Sequence, residues 1–229
     1  MAEIDAAAVR AAHEAAMAAA PSDGTPVEAV RFVALDCETT GTDAKHDRIV
    51  TIGAVTVSDG EILLEEQFEA LLQVSHNTSA VLVHGVTAEQ AAEWGQSEAE
   101  AMVDLLGYLQ GAVIVGHHIG FDVEVISRAC ERCLGFGLRN RWLDTMGLTL
   151  HLEDAGAFGP LLEASSSAPP FRDFSLDGLC RRFGVLPHDR HTASGDAFLT
   201  AQIFLKLLSL AKHHGRETLG AVAERWQAE

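Results

Sequence analysis

Three β-rich runs follow one another inside about forty residues, and that succession limits the folds open to this chain more than any other feature. Val30 to Asp36, Ile49 to Val57 and Glu61 to Ala70 are rich in the β-branched and aromatic types that strands favour, and Ser58-Asp59-Gly60 between the last two is a hairpin-type connection. Three consecutive antiparallel strands are the expectation. Helical spacing follows at Thr87 to Trp94 and Glu98 to Gln110, then a short buried-type strand at Ala112 to Val115 and a helix at Phe121 to Cys133. Trp142 to Asp144 reads as a further short strand leading into a helix that runs to about Leu152. Ser175 to Phe183 and Ala193 to His213 read as helices, with a short one after Arg216. Leading strands followed by alternating helices and strands predict an α/β fold with a mixed sheet flanked by helices. Residues 1–28 are an alanine-rich helix and a Pro-Ser-Asp-Gly-Thr-Pro linker (Pro21 to Pro26), which leaves residues 29–229 as one domain. Ala155 to Phe174, rich in Gly, Ser and Pro, is the expected mobile loop.

A chain of 229 residues that is 48% hydrophobic can bury a sizeable core. No apolar run approaches the ~20 residues that span a bilayer, so no membrane partner is expected. The N-terminal helix carries Glu3, Asp5, His13 and Glu14, which fits neither a secretory signal nor a transit peptide. A cytoplasmic protein is the expectation, with Cys37, Cys130, Cys133 and Cys180 as reduced thiols. Cys130 and Cys133 have a metal-like spacing, but they fall in a helical pattern with no second close pair. The formal charge is −17, a poor basis for broad attraction to a phosphate backbone. A nucleic-acid enzyme remains compatible with it if divalent cations offset acids at the site, or if the surface is adapted to high salt. Thirteen of the sixteen basic residues are Arg, a composition that favours the second explanation weakly.

Asp36 and Glu38 stand two apart at the end of the first strand. Side chains alternate along a strand, so both carboxylates project from one face and Cys37 from the other. Two such acids repel each other unless a cation lies between them. Asp122 opens the helix that follows the fourth strand, where a carboxylate alone would serve as a cap or dipole partner. His191 and Asp196 flank the entry to the long C-terminal helix.

The stretches Leu35-Asp-Cys-Glu-Thr-Thr-Gly41, His117-His-Ile-Gly-Phe-Asp122 and His191-Thr-Ala-Ser-Gly-Asp196 resemble, in this order, the three exonuclease motifs of the DEDDh or DnaQ-like family, which includes the proofreading epsilon subunit of bacterial DNA polymerase III. Arg48-Ile-Val-Thr-Ile-Gly-Ala-Val55, Val83-His-Gly-Val-Thr87 and Leu143-Asp-Thr145 resemble its secondary signatures. The likeness covers about residues 30–212 and implies a ribonuclease-H-like fold with 3′–5′ exonuclease activity. It assigns Asp36, Glu38, Asp122 and Asp196 as ligands of two divalent cations, Mg²⁺ or Mn²⁺, and His191 as the general base. Oxygen ligands suit these hard cations, and an imidazole, unlike a phenol, exchanges a proton near neutral pH. By the same resemblance Thr39, Thr40, His84 and Phe121 line the pocket for the 3′-terminal nucleotide.

The chain departs from the family pattern at His118, where Asn is commoner, at Thr51, where Glu is common, and at Thr42, where an apolar residue is. Arg139, Arg141, Arg172, Arg181, Arg182 and Arg190 form the candidate phosphate-contacting set. The expected substrate is a single-stranded or frayed 3′ end, DNA ahead of RNA. A polymerase proofreading subunit and an RNA-trimming exoribonuclease are the enzyme alternatives. An inactive nucleic-acid-binding module is the alternative from another class, which the presence of all four acids disfavours.

Overall fold

The computed structural model describes residues 4–158 and 173–223. The chain opens with helix α1 (Ala6–Ala18), whose N-terminus is capped by the Asp5 carboxylate accepting from Ala7 N and Ala8 N at 3.1 and 3.0 Å. Strands β1 (Phe32–Thr39), β2 (Ile49–Ser58) and β3 (Glu61–Leu71) follow, then helices α2 (Val81–His84), α3 (Ala88–Trp94) and α4 (Glu98–Tyr108). Strand β4 (Val113–Gly116), helix α5 (Gly120–Leu134), strand β5 (Trp142–Asp144) and helix α6 (Thr145–Asp154) come next. Helices α7 (Leu176–Phe183), α8 (Ala193–His213) and α9 (Leu219–Ala223) complete the described chain.

The five strands form one sheet in the order β3-β2-β1-β4-β5. β1 pairs antiparallel with β2 and parallel with β4, so the strand that carries Asp36 and Glu38 lies in the middle. The mixed sheet and leading antiparallel meander match the expectation from sequence. Alternation along β1 divides the core in two. Phe32 and Ala34 pack with Val55, Val57, Leu199 and Phe204 beneath α6, α7 and α8, whereas Val33 and Leu35 pack with Ile52, Met102, Leu105 and Ile126 beneath α4 and α5. Burying these apolar side chains at about 25 cal/mol per Å² supplies the main driving force for both layers.

Local chemistry fixes most helix ends. Thr87 and Ser97 form capping boxes with Gln90 and Glu100 at α3 and α4, and Gly135, at φ 78°, terminates α5 in the left-handed region. α2 was not anticipated from sequence. Two of its four residues, Val-Leu-Val-His, are β-branched, and no side chain caps it. β1 also runs three residues past Asp36, because Cys37, Glu38 and Thr39 continue the ladder with β2. Residues 23–27 are pinned to the C-terminal segment: Val27 N donates to Glu217 O and Leu219 N to Thr25 O, each at 2.9 Å. α1 lies on the α4–α5 layer, where buried His13 accepts at Nε2 from Arg139 N at 3.3 Å. Most of the run 155–174 expected as a mobile loop lies outside the described residues, as does Arg172. Among the described residues no helix is long and apolar enough to cross a membrane.

Candidate active site

Asp36 and Glu38 emerge side by side from the C-terminal end of β1, on the face covered by α8, while Cys37 between them packs with the opposite layer. Asp196 comes from the first turn of α8 and is buried. One carboxylate oxygen from each of Asp36, Glu38 and Asp196 lies within 4.8 Å of the others. Asp122, in the first turn of α5, is buried beside them and accepts from Cys37 N at 2.9 Å, so its carboxylate braces the strand between the two β1 acids. It is not part of the three-oxygen cluster.

Gly53 makes this convergence possible. It is the register partner of Asp36 on β2, and a Cβ there would collide with the backbone of Ala193 and Ser194 at the start of α8. Asp144, from the Leu-Asp-Thr signature, has a structural task. Its carboxylate caps α6 through Met146 N and Gly147 N and accepts from Ile119 N at 2.9 Å, which ties the start of α5 to β5. His118 adopts φ 57°, a left-handed conformation that among non-glycine residues Asn, Asp and His enter most readily, so His is a tolerable replacement for the commoner Asn.

So many acids in one place resist ionisation. Burial, then the charges of Asp122, Asp196 and Glu38, hold the Asp36 carboxyl well above the usual carboxylate range, against the opposing pull of Arg190. Glu38 is pushed up to about 7, by burial and then by Asp196. Asp122 also rises to about 7, chiefly by burial, although the hydrogen bond from Cys37 N favours its anion. Asp196 Oδ1 is buried and accepts no hydrogen bond. An orphaned carboxylate oxygen among three like charges, with oxygen as the only donor type, fits a hard divalent cation.

A cleft of about 230 Å³ adjoins the acids, lined in part by Glu38, Thr51, His84, Val86, Thr192 and Ser194. His84 is buried, held by Val86 N donating to its Nδ1 at 3.2 Å, while its Nε2 has no hydrogen-bond partner. Burial lowers its pKa and favours the neutral ring. Thr39 and Thr40 border the site, but their hydroxyls are engaged within the loop: Thr39 donates to Gly41 O, and Thr40 donates to Asp47 Oδ1 at 2.8 Å. Phe121 is half-buried against the α4–α5 core. His191 is exposed and stands outside the acid cluster, with φ 63°. A larger cavity of about 500 Å³ lies against the C-terminal half of α8 and contains none of the four acids.

Each described arginine of the candidate phosphate-contacting set has a carboxylate partner in the free protein. Arg139 pairs with Glu14 at 3.6 Å, Arg141 with Asp23 at 2.7 Å, Arg181 with Asp173, Arg182 with Glu153 at 3.5 Å, and Arg190 with Asp177 and Asp196. In a chain with 33 acids and 16 bases, most cations find a carboxylate nearby. Arg190 and Asp177 are the residues near the site whose part the sequence did not disclose. They stand 13 positions apart on different elements, and no local pattern links them.

The family model described as "Exonuclease", RNase T type, matches residues 33–204. A DNA polymerase III subunit epsilon-like protein of Rhodobacter capsulatus is 35% identical over 203 residues, 86% of this chain and 26% of that protein. The PolC-type DNA polymerase III of Thermotoga petrophila is 30% identical over 197 residues, 85% of this chain and 13% of that protein. The DNA polymerase III subunit epsilon of Treponema pallidum is 27% identical over 201 residues, covering 83% of this chain and 80% of that protein. The chain thus spans only a small part of the first two relatives. E. coli exonuclease I in complex with a dT13 oligonucleotide shares the fold, with a TM-score of 0.64 at 20% identity over 81% of this chain and 42% of that one. The chain belongs to the RNase T-type, DnaQ-like exonuclease family and has a ribonuclease-H-like fold.

Proposed function

We propose that this domain releases nucleoside monophosphates from single-stranded or frayed DNA 3′ ends, with Asp36, Glu38, Asp122 and Asp196 holding two divalent cations, Mg²⁺ or Mn²⁺, and His191 acting as general base. The observation that carries this reading is the meeting of Asp36, Glu38 and Asp196 within 4.8 Å. Their raised or orphaned carboxylates favour capture of a cation over isolation. Cations held there supply Lewis-acid stabilisation of the scissile phosphate and activation of the attacking water. The protein's own groups do the rest. His191, at the exposed rim, takes the proton of the attacking water on a ring nitrogen. The cleft beside Glu38 seats the terminal nucleotide, His84 offers its free Nε2 to a polar group of that nucleotide, and Phe121 offers a ring edge. Thr39 and Thr40 shape the pocket wall, with no free polar group from Thr40. Both hydroxyls are engaged within the loop, Thr40 N donates to Arg48 O at 2.9 Å and Thr40 O accepts from Thr78 Oγ1 at 2.7 Å.

DNA is preferred over RNA because the named relatives include DNA polymerase III subunits and the structural neighbour holds an oligodeoxynucleotide. Association with a DNA polymerase is the second reading, favoured by the epsilon subunit of Treponema pallidum, most of whose length this chain matches. Four free thiols accord with a reducing, cytoplasmic setting. End-labelled DNA and RNA oligonucleotides incubated with Mn²⁺, with and without chelator, test the proposal. Stepwise shortening of DNA from the 3′ end, abolished by chelator and by Asp36→Ala, is expected. Near-wild-type rates in folded Asp36→Ala refute the acid assignment, and faster shortening of RNA moves the substrate to the trimming class. A polymerase pull-down reads the second proposal.

A further inference from the structure

We propose that Arg190 is a positioning residue for cation capture: its guanidinium bridges Asp177 and Asp196, holding one oxygen of Asp196 so that the other remains available to a cation shared with Asp36 and Glu38. The inference rests on the cation reading of the acid cluster given above.

The two ends of the fork have different tasks. Nε donates to Asp177 Oδ1 at 2.8 Å, and Nη1 donates to Asp196 Oδ2. Asp177 is the more exposed anchor, at 44% of its side-chain surface against 10% for Asp196, so the bridge runs from the solvent edge of α7 to the interior of α8. Asp196 Oδ2 also receives His191 N at 3.4 Å, whereas Oδ1 is buried without a hydrogen bond. One oxygen is therefore fixed from two sides and the other is left open, which is the division a metal-binding carboxylate needs from its supporting groups.

The surrounding turn is built to present this arginine. Asp189 and His191, on either side of it, have φ of 51° and 63°. Thr192 ties the turn down by donating to Asp189 O at 2.7 Å, and Gly195 provides room for it, since a Cβ there would strike Asp189 O. Through Asp196, Arg190 thus connects the cation cluster to the backbone of the residue assigned as general base.

Two other roles make different demands. A phosphate contact would require the guanidinium to abandon two carboxylates. A competing counter-ion would bond the acids that a cation takes. Arg190 bonds Asp196 through Oδ2 and leaves Oδ1 without a hydrogen bond, while its charge also reaches Asp36 and Glu38, so a Mn²⁺ titration must separate the two roles. A lysine cannot reproduce the bridge, because its ammonium is a single point charge without the planar fork.

Calorimetric titration with Mn²⁺, without nucleic acid, separates the possibilities in wild type, Arg190→Ala, Arg190→Lys, Asp177→Ala and Asp36→Ala, with circular dichroism confirming equal folding. Arg190→Ala is expected to weaken Mn²⁺ binding by about 10–100-fold, the usual consequence of losing a group that orients a metal ligand. Arg190→Lys should stay weakened. Asp177→Ala should weaken binding less, and adding it to Arg190→Ala should cost nothing further. Unchanged affinity in Arg190→Ala overturns the proposal, and tighter binding identifies the arginine as a competitor instead. If Arg190→Ala fails to fold, Asp177→Ala carries the decision: wild-type affinity there overturns the bridge. A wild-type protein that binds no Mn²⁺ overturns the cation reading itself, and this assignment with it.

Discussion

Gly53 stands opposite Asp36 in the antiparallel β1–β2 ladder, and the start of α8 rests directly on it. Without a side chain at this position, the first turn of α8 reaches the sheet and delivers Asp196 to Asp36 and Glu38. In Gly53→Ala the new methyl group meets the backbone of Ala193 and Ser194, which cannot rotate away as a side chain could. We expect about 1–3 kcal/mol of lost stability from overpacking, and a rate loss on the order of 10²-fold from displaced catalytic groups. Thermal melts and exonuclease assays on the same preparation read both. A stable Gly53→Ala with the wild-type rate would show that close approach at this residue does not set the site.

Function and stability should respond in opposite directions at Asp36. Its carboxyl is destabilised as an anion by burial and by three neighbouring acids. Asp36→Asn removes that cost, so the metal-free protein should melt higher than wild type at pH 8. The same substitution should abolish turnover and the Mn²⁺-induced rise in Tm. A lower Tm in metal-free Asp36→Asn would mean that the carboxylate supports the fold, contrary to its electrostatic setting.

A pH dependence follows from the same acids. The folded values of Glu38 and Asp122, about 7, lie above their ordinary values of 4.5 and 3.8. The folded chain therefore holds protons that the unfolded chain releases, and stability must fall as pH rises. The contribution is fully present below about pH 4 and is lost as pH climbs through 7. In chelator, Tm should decline across this window more steeply for wild type than for Glu38→Gln. Saturating Mn²⁺ should flatten or reverse the decline, since cation binding displaces the protons. Parallel slopes for wild type and Glu38→Gln would remove Glu38 as a source.

Much of this site could be read from the sequence because its information is local. Alternation alone put Asp36 and Glu38 on one face, and the apolar run before them placed that face on a central strand. The order of the motifs brought Asp196 to the start of a long helix. Tertiary contacts were not legible. The Arg190 bridge joins residues with no common pattern, so nothing local separates Arg190 from the other candidate phosphate-contacting arginines. Asp122, assigned as a ligand, spends one oxygen on Cys37 N, a bond that exists only once α5 has docked on β1. α2 is not legible because four residues, two of them β-branched, without a cap give no helical signal.

Asp47 is expected to act on substrate affinity. Its carboxylate accepts from Thr40 Oγ1 and from Asp43 N, both at 2.8 Å, and so closes the loop that follows β1. Gly41 packs against it so tightly that a Cβ there would press on the carboxylate. Asp47→Ala frees this loop without touching the acid cluster. KM for a single-stranded oligonucleotide should rise by about tenfold, roughly the loss of one charge-assisted hydrogen bond, with kcat and Mn²⁺ affinity retained. A kcat loss at unchanged KM would place the loop with the chemistry instead of with binding.

His191 supplies the sharpest test of the mechanism because it is separated from the carboxylates in position and in chemistry. Its ring is exposed and outside the three-acid cluster, while its backbone N–H reaches Asp196 Oδ2. Truncation of the imidazole leaves that backbone contact in place. Loss of a general base lowers kcat by about 10²–10⁴-fold, so His191→Ala should lose that much while Mn²⁺ affinity, read by calorimetry, stays near wild type. If affinity for Mn²⁺ falls in parallel with kcat, the imidazole is a cation ligand. If kcat survives, another group takes the proton, and the exposure of His191 reflects a rim residue without a part in the reaction.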